Sequence, residues 1–137
     1  SDMTKTYIWL PGQPIGKGRP RFTRTGRVYT PDKTRKFEHR LAATASNYMI
    51  LHQLEPTDKP CRVIIRAQFE IPKSWTKAKK AQAINNEIYP GRPDIDNIAK
   101  IVLDSFNSVV FEDDDQVYDL RVVKTYGDPC LVTEVIW

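Results

Sequence analysis

Three acidic residues and one lysine stand out by their spacing. Asp94-Ile95-Asp96-Asn97-Ile98-Ala99-Lys100 follows Pro93, and a second acidic block, Glu112-Asp113-Asp114-Asp115, precedes an apolar run that begins at Val117. Clustered carboxylates suit one kind of chemistry well. They offer hard oxygen ligands to a divalent cation, and Mg2+ or Mn2+ is the ion that open oxygen geometry favours. Such an ion activates a water and stabilises charge on a phosphate during hydrolysis. If Asp114 approaches Asp94 and Asp96 within about 5 Å, each pair repels by ~3 kcal/mol at an effective dielectric of about 20. A fold keeps such an arrangement only where protons or metal relieve it. Lys100 beside the site would neutralise charge developing on the scissile phosphate or the leaving oxygen.

Geometry restricts how the first block works. On a helix, positions i and i+2 point about 200° apart, so Asp94 and Asp96 would not share a ligand. On an extended segment they lie on the same side. Pro93 favours extended chain before it and Asp is a good N-cap. The expectation is an extended Asp94–Asp96 segment with Asp96 capping a helix and Lys100 one turn in on the same face. A plainer reading stands beside this one. Asp96 and Lys100 form an ordinary i, i+4 pair worth a few tenths of a kcal/mol, and four acids in a row make a solvated turn. The turn is, however, pinned between Val109-Val110-Phe111 and the strand from Val117.

The elements that must position these residues are legible as patterns. Tyr7–Leu10 reads as a short strand. The basic loop Gly16–Arg27 holds Lys17, Arg19, Arg21, Arg24 and Arg27, and its Gly and Pro content argues against regular structure. Thr30-Pro31 gives a helix start, with Thr30 as cap and Pro31 at the first position. Phe37, Leu41, Thr44, Ala45 and Tyr48 then mark one face to about Leu51. Residues 61–71 alternate as a half-buried strand. Thr76–Asn85 reads as a short helix carrying Lys77, Lys79 and Lys80, a solvated cationic face. Ile98, Ile101, Val102, Ser105 and Val109 mark another helix. Residues 117–126 and 130–137 read as two strands of a hairpin through Gly127-Asp128-Pro129, with one more short strand near Val28. The expected class is α+β, a single domain over residues 1–137 with helices on a mixed or antiparallel sheet. Ser1 and Asp2 read as a cloning remnant.

Composition excludes several classes. The chain has 137 residues, 40% hydrophobic and 28% charged, which is globular rather than disordered. No apolar run approaches the roughly 20 residues of a membrane helix, and no signal peptide is visible, so the expectation is a cytoplasmic protein with no membrane partner. Cys61 and Cys130 lack zinc-like partners and read as buried free thiols. His39 and His52 have no catalytic role in this reading. Net charge is +4, and its distribution is uneven. Residues 1–40 balance at +7, residues 41–90 at +3, residues 91–120 at −6, and residues 121–137 at zero. A basic half beside one acidic block suits a protein that attracts a polyanion and gathers cations at one spot.

The acidic segments resemble the RusA family of Holliday-junction resolvases. Asp94 to Lys100 is similar to the family's Asp-x-Asp-Asn-x-x-Lys segment, and Asp104 follows. Asp113-Asp114-Asp115-Gln116-Val117 is similar to its later Asp-Asp-x-Gln-Val segment, at similar spacing. Gly16 to Thr30 resembles the opening of one branch of the family. The resemblance implies an α+β fold, a homodimer and a Mg2+ or Mn2+ cofactor. It implies paired, symmetric nicking of four-way junctions that leaves ligatable 5′-phosphate ends, in a protein of bacterial or phage origin. By the same resemblance Asp94, Asp96 and Asp114 are metal-binding carboxylates and Lys100 is the essential lysine. Alignment on Gln116-Val117 selects Asp114, with Glu112, Asp113 and Asp115 as the open alternatives.

The five cations of the basic loop suit contact with phosphates. Phe22 among them is expected in the core, because most aromatics bury; the alternative is stacking on unpaired bases. Asp104 is expected to pair with Lys100 or to cap local structure. Trp75 and Tyr89 are expected in core or rim packing. Three other functions compete with a junction resolvase. One is a non-catalytic DNA-binding protein with a structural cation, which has no need of Lys100. Another is an interaction module with an acidic docking turn, which does not explain the +7 segment. The last is a nuclease for flaps or forks.

Overall fold

The clearest alternation in the chain makes its central strand. Strand β4, Cys61–Phe69, buries Cys61, Val63, Ile65, Ala67 and Phe69, and exposes Arg62 and Arg66 on the other side. The computed structural model describes residues 3–18 and 21–137. The expectations for Ser1, Asp2 and Arg19 lie outside the described residues.

Three strands join β4 in one sheet. They are β1, Lys5–Pro11; β5, Val117–Tyr126; and β6, Cys130–Ile136. The order is β1-β6-β4-β5. β6 pairs antiparallel with both β1 and β4, and β5 pairs parallel with β4. The sheet is therefore mixed and the class α+β. The expected hairpin of β5 and β6 is not formed, because β4 lies between them. Residues 127–129 pass over the end of β4 instead. Gly127 N–H donates to the Phe69 carbonyl at 2.9 Å, and Gln68 Nε2 donates to the Asp128 carbonyl at 2.7 Å. A side chain at Gly127 would meet the Gln68 side chain at 2.6 Å and displace it. Placing β4 at the centre satisfies the backbone groups on both its edges, which suits its buried apolar face.

Two helices cover one face of the sheet. α1, Asp32–Leu51, buries Phe37, Leu41, Ala45 and Met49 at four-residue spacing. Its first helical residue is Asp32, with Pro31 rather than Thr30 at the cap. α3, Ile95–Phe106, buries Ile98, Ile101, Val102, Ser105 and Phe106. It stops before Val109, at a tight turn where Ser108 has a φ of 63°. Ile8, Leu41, Ile65, Ile98, Phe106 and Val135 meet in the core, each 1% exposed or less. Full burial of each such side chain contributes roughly 1.5–3 kcal/mol.

Parallel pairing of β4 and β5 requires a crossover. That crossover holds α2, Lys77–Ile84, capped by the Thr76 hydroxyl on Lys79 N–H at 3.2 Å. It also holds α3 and a 3₁₀ turn at Asp114–Gln116. Trp75 packs edge-on to Tyr126 with Lys79 over its ring at 4.1 Å, the rim position expected for it. Tyr89 stands 59% exposed instead. Cys61 is buried and Cys130 half-buried, both free. Burial pushes the Cys61 thiol up.

Ahead of α1 stands a second, two-stranded sheet. β2, Arg21–Phe22, pairs antiparallel with β3, Val28–Tyr29. The short strand near Val28 is present, and the supposedly irregular loop before it supplies its partner. Gly26, with a φ of 81°, closes the turn in a conformation that only glycine adopts freely.

Candidate active site

α3 begins where the chain leaves Pro93. Asp94 is the cap residue, with extended angles of −65° and 152°, and its carbonyl accepts from Asn97 and Ile98 N–H at 3.1 and 3.2 Å. This corrects the expectation of an extended Asp94–Asp96 segment with Asp96 as the cap, because the helix already includes Ile95 and Asp96. Asp96 sits inside the first turn, where its Oδ1 accepts from Asn97 N–H at 2.9 Å. The helix starts two residues early because Pro93 blocks it only on its own amino side. The Asp94 carboxylate makes no cap hydrogen bond and is exposed.

From Asp96 the helix presents every fourth residue on one face: Asp96, Lys100 and Asp104. These three line a cleft of about 620 Å³ with Ile95, Ala99 and Leu103, closed by Leu120 and Val122 of β5 and by Asp114. Of the expected site residues, Asp96, Lys100 and Asp114 line one cleft. Asp94 is not among its lining residues. Among the described residues, no three carboxylate, imidazole or thiol groups already stand around a single point fit for an ion. The donor set nonetheless fits a hard divalent cation in kind, since it is carboxylate oxygen with no thiol or imidazole.

The acidic turn sorts its own members. Asp113 caps the 3₁₀ turn: its Oδ1 accepts from Asp114 N–H at 2.9 Å, and Gln116 Oε1 accepts from Asp113 N–H at 2.8 Å. Gln116 Nε2 reaches back to the carbonyls of Thr57 and Lys59, at 2.8 and 2.9 Å. Glu112 N–H donates to the Thr57 carbonyl at 3.1 Å. The turn is thus tied to the segment entering β4, and Asp114 is the half-buried acid that faces the cleft. Asp115 points to solvent, and its carboxyl stands above the usual range, pushed up first by the Asp113 charge next to it.

Lys17 is not a free cation. Its ammonium contacts both Glu38 oxygens at 2.9 and 3.0 Å and Asp104 at 3.2 Å, and its side chain is only 17% exposed. Burial works against the ammonium, but hydrogen bonds to Glu38 and Asp104 and their charges outweigh it and hold its pKa above the ordinary lysine value. Asp104 therefore pairs with Lys17 rather than with Lys100. Lys17 N–H also donates to the Asn97 carbonyl at 2.9 Å. A side chain at Gly16 would clash with Pro93 and Asn97 at 2.8 and 2.9 Å. The segment Gly16–Gly18 is a strap that binds α1 to α3 beside the cleft. Arg21, Arg24 and Arg27 are exposed, and so is Phe22, at 71%, against the expectation of burial. Two strands of two residues have no interior in which to bury it.

Lys124 of β5 was missed in the sequence. Its ammonium donates to the carbonyls of Gly91 and Pro93, at 2.5 and 3.1 Å, and so fixes the chain just ahead of Asp94. The signal was present. Lys124 pairs with buried Ala67 and continues the alternation of Leu120 and Val122, so a lysine occupies a core-facing register position.

The family model for Endodeoxyribonuclease RusA matches residues 11–135. The chain belongs to the RusA family. It is accordingly an endodeoxyribonuclease, of a family of junction-resolving nucleases. It is also similar to "Uncharacterized protein YqaN" of Bacillus subtilis (strain 168), 35% identical over 124 residues, which spans 85% of this chain and 84% of that protein. The match reaches from the end of β1 to β6 and includes the strap, the cleft and the acidic turn. Among the described residues, no helix is long and apolar enough to cross a membrane.

Proposed function

We propose that this RusA-family protein resolves Holliday junctions by paired, symmetric nicking during DNA recombination and repair, with Mg2+ or Mn2+ as cofactor and a homodimer as the active form. The observation that carries the reading is that Asp96, Asp114 and Lys100 line one cleft. Asp94, Asp96 and Asp114 would hold the ion. Asp94 and Asp96 are exposed and Asp94 has no cap bond to break, so the Asp94 side chain, which stands outside the cleft lining, would swing toward the ion. Once bound, the ion supplies a Lewis acid for the phosphate and a water activated at neutral pH. Lys100 stands one turn from Asp96 and neutralises charge on the scissile phosphate or the leaving oxygen. Arg21, Arg24 and Arg27 contact backbone phosphates, as does Arg19 in the sequence reading. Lys17 serves the site indirectly, by holding the strap between α1 and α3.

Two active sites related by a two-fold axis are what two symmetric cuts require. A structural cation in a non-catalytic protein would leave Lys100 without a purpose, so that reading is the weaker one. The test is incubation with a synthetic immobile four-way junction, with and without Mg2+, beside a linear duplex of the same sequence. Paired nicks in the junction arms, dependent on metal and absent from the duplex, are expected. Binding without cutting in both Mg2+ and Mn2+ would contradict the resolvase function. Equal cutting of flaps, forks and junctions would remove the junction preference alone.

A further inference from the structure

The β2–β3 hairpin is an apolar and cationic element with no interior of its own. Every residue from Arg21 to Tyr29 is exposed. Phe22 is 71% exposed, Val28 56% and Tyr29 45%. The stretch carries Arg21, Arg24 and Arg27 and no acidic residue. Its turn is nevertheless well specified. Gly26 N–H donates to the Thr23 carbonyl at 3.0 Å and Thr23 N–H to the Arg27 carbonyl at 2.8 Å. The Thr23 hydroxyl accepts from Arg27 N–H at 3.0 Å and bonds the Thr25 hydroxyl at 3.0 Å. This is the three-residue hairpin loop with glycine in the left-handed position. An isolated hairpin is marginal in water, so a turn this well bonded is built to present something.

What it presents has two faces. Phe22 pairs with Val28, and Arg21 pairs with Tyr29. Cross-strand partners point the same way and successive residues opposite ways. Phe22 and Val28 thus form an apolar face and Arg21 and Tyr29 a cationic, aromatic one, with Arg24 in the turn. Contiguous apolar surface left in solvent calls for a partner. Three arginines without an acid demand a polyanionic one. An aromatic ring beside arginines matches a nucleic-acid base with its phosphates, since every base offers a π-face.

Resting on the resolvase reading above, we propose that the β2–β3 hairpin reads the branch point: Phe22 stacks on a base at the centre of branched DNA while Arg21, Arg24 and Arg27 hold the phosphates around it. The proposal explains discrimination. In linear duplex every base is already stacked, and inserting a ring must first pay for unstacking. At a branch the stack is interrupted, so the same ring gains contact without that cost. Phe22 is then a specificity residue and takes no part in the cleft chemistry.

The experiment is binding of the full chain, in the absence of divalent metal, to a four-way junction and to a linear duplex of equal length. Phe22→Ala is expected to lose junction affinity by roughly 5- to 100-fold, with duplex affinity unchanged and the protein still folded by circular dichroism. Phe22→Trp is expected to keep the junction preference. Equal loss on both DNAs, no loss on either, or a change of oligomeric state in Phe22→Ala would overturn the proposal. A wild-type preference for junctions that Phe22→Ala leaves intact overturns the hairpin's role alone. A wild-type protein that binds both DNAs alike overturns the resolvase reading and the proposal with it.

Discussion

At the residue scale the site is a set of charges arranged by the helical repeat. Asp96, Lys100 and Asp104 share one face of α3, and each has a different partner or task. Asp104 is neutralised by Lys17, which leaves Lys100 without a salt bridge among those formed by the described residues and available to a phosphate. Lys100→Ala is therefore expected to lower the single-turnover cleavage rate by about 10²–10³-fold with little change in junction affinity; an unchanged rate removes its role. Lys17→Met leaves Glu38 and Asp104 facing each other without a cation. A loss of about 1–3 kcal/mol is expected in urea unfolding at neutral pH, below the cost of breaking a fully buried pair because Lys17 keeps some contact with water. The sign of its pH dependence follows from the raised pKa. The stabilisation is fully present below the ordinary lysine value of about 10.4 and is lost as pH rises through the higher folded value. A stability difference between wild type and Lys17→Met that vanished at neutral pH would contradict this.

At the element scale, legibility depended on whether a signal was local. The alternation of β4 and the apolar stripe of α3 are local, and both elements were readable to within a few residues. The acidic spacing was readable only in part: Asp96 and Asp114 line one cleft, but the helix starts at Ile95, makes Asp94 the cap and leaves Asp94 outside that lining. The strand order was not readable. Gly127-Asp128-Pro129 has turn chemistry that serves a hairpin and a crossing over β4 equally well, and only the pairing of distant residues chooses between them. Lys17 likewise finds Glu38 and Asp104 far along the chain. Phe22 broke the rule that aromatics bury, because its hairpin offers no interior. Lys124 was readable in principle, as a lysine in a core-facing slot of β5. Its ammonium satisfies two carbonyls of the loop that feeds α3. Lys124→Met is expected to loosen Gly91–Pro93, raising amide hydrogen exchange there, and to reduce cleavage more than DNA binding. Unaltered exchange and rate would show that the loop holds its place without it.

At the scale of the whole molecule, a basic amino-terminal half stands against one acidic block in a chain of net charge +4. The separation suits recruitment of DNA followed by delivery of cations to one cleft. Arg24→Gln combined with Arg27→Gln is expected to weaken DNA binding and to flatten the slope of log affinity against log salt by about two. A slope that did not move would place the phosphate contacts elsewhere. The acidic block lies wholly in the crossover between β4 and β5, so the requirement of parallel strands for a long connection is what brings the start of α3 and the acidic turn to one side of the sheet. The most direct test of that shared cleft is single-turnover cleavage of a four-way junction in Mg2+ by wild type and by Asp114→Asn. The account predicts that wild type makes paired nicks while Asp114→Asn binds the junction as tightly and does not cut; cleavage by Asp114→Asn at the wild-type rate would contradict it.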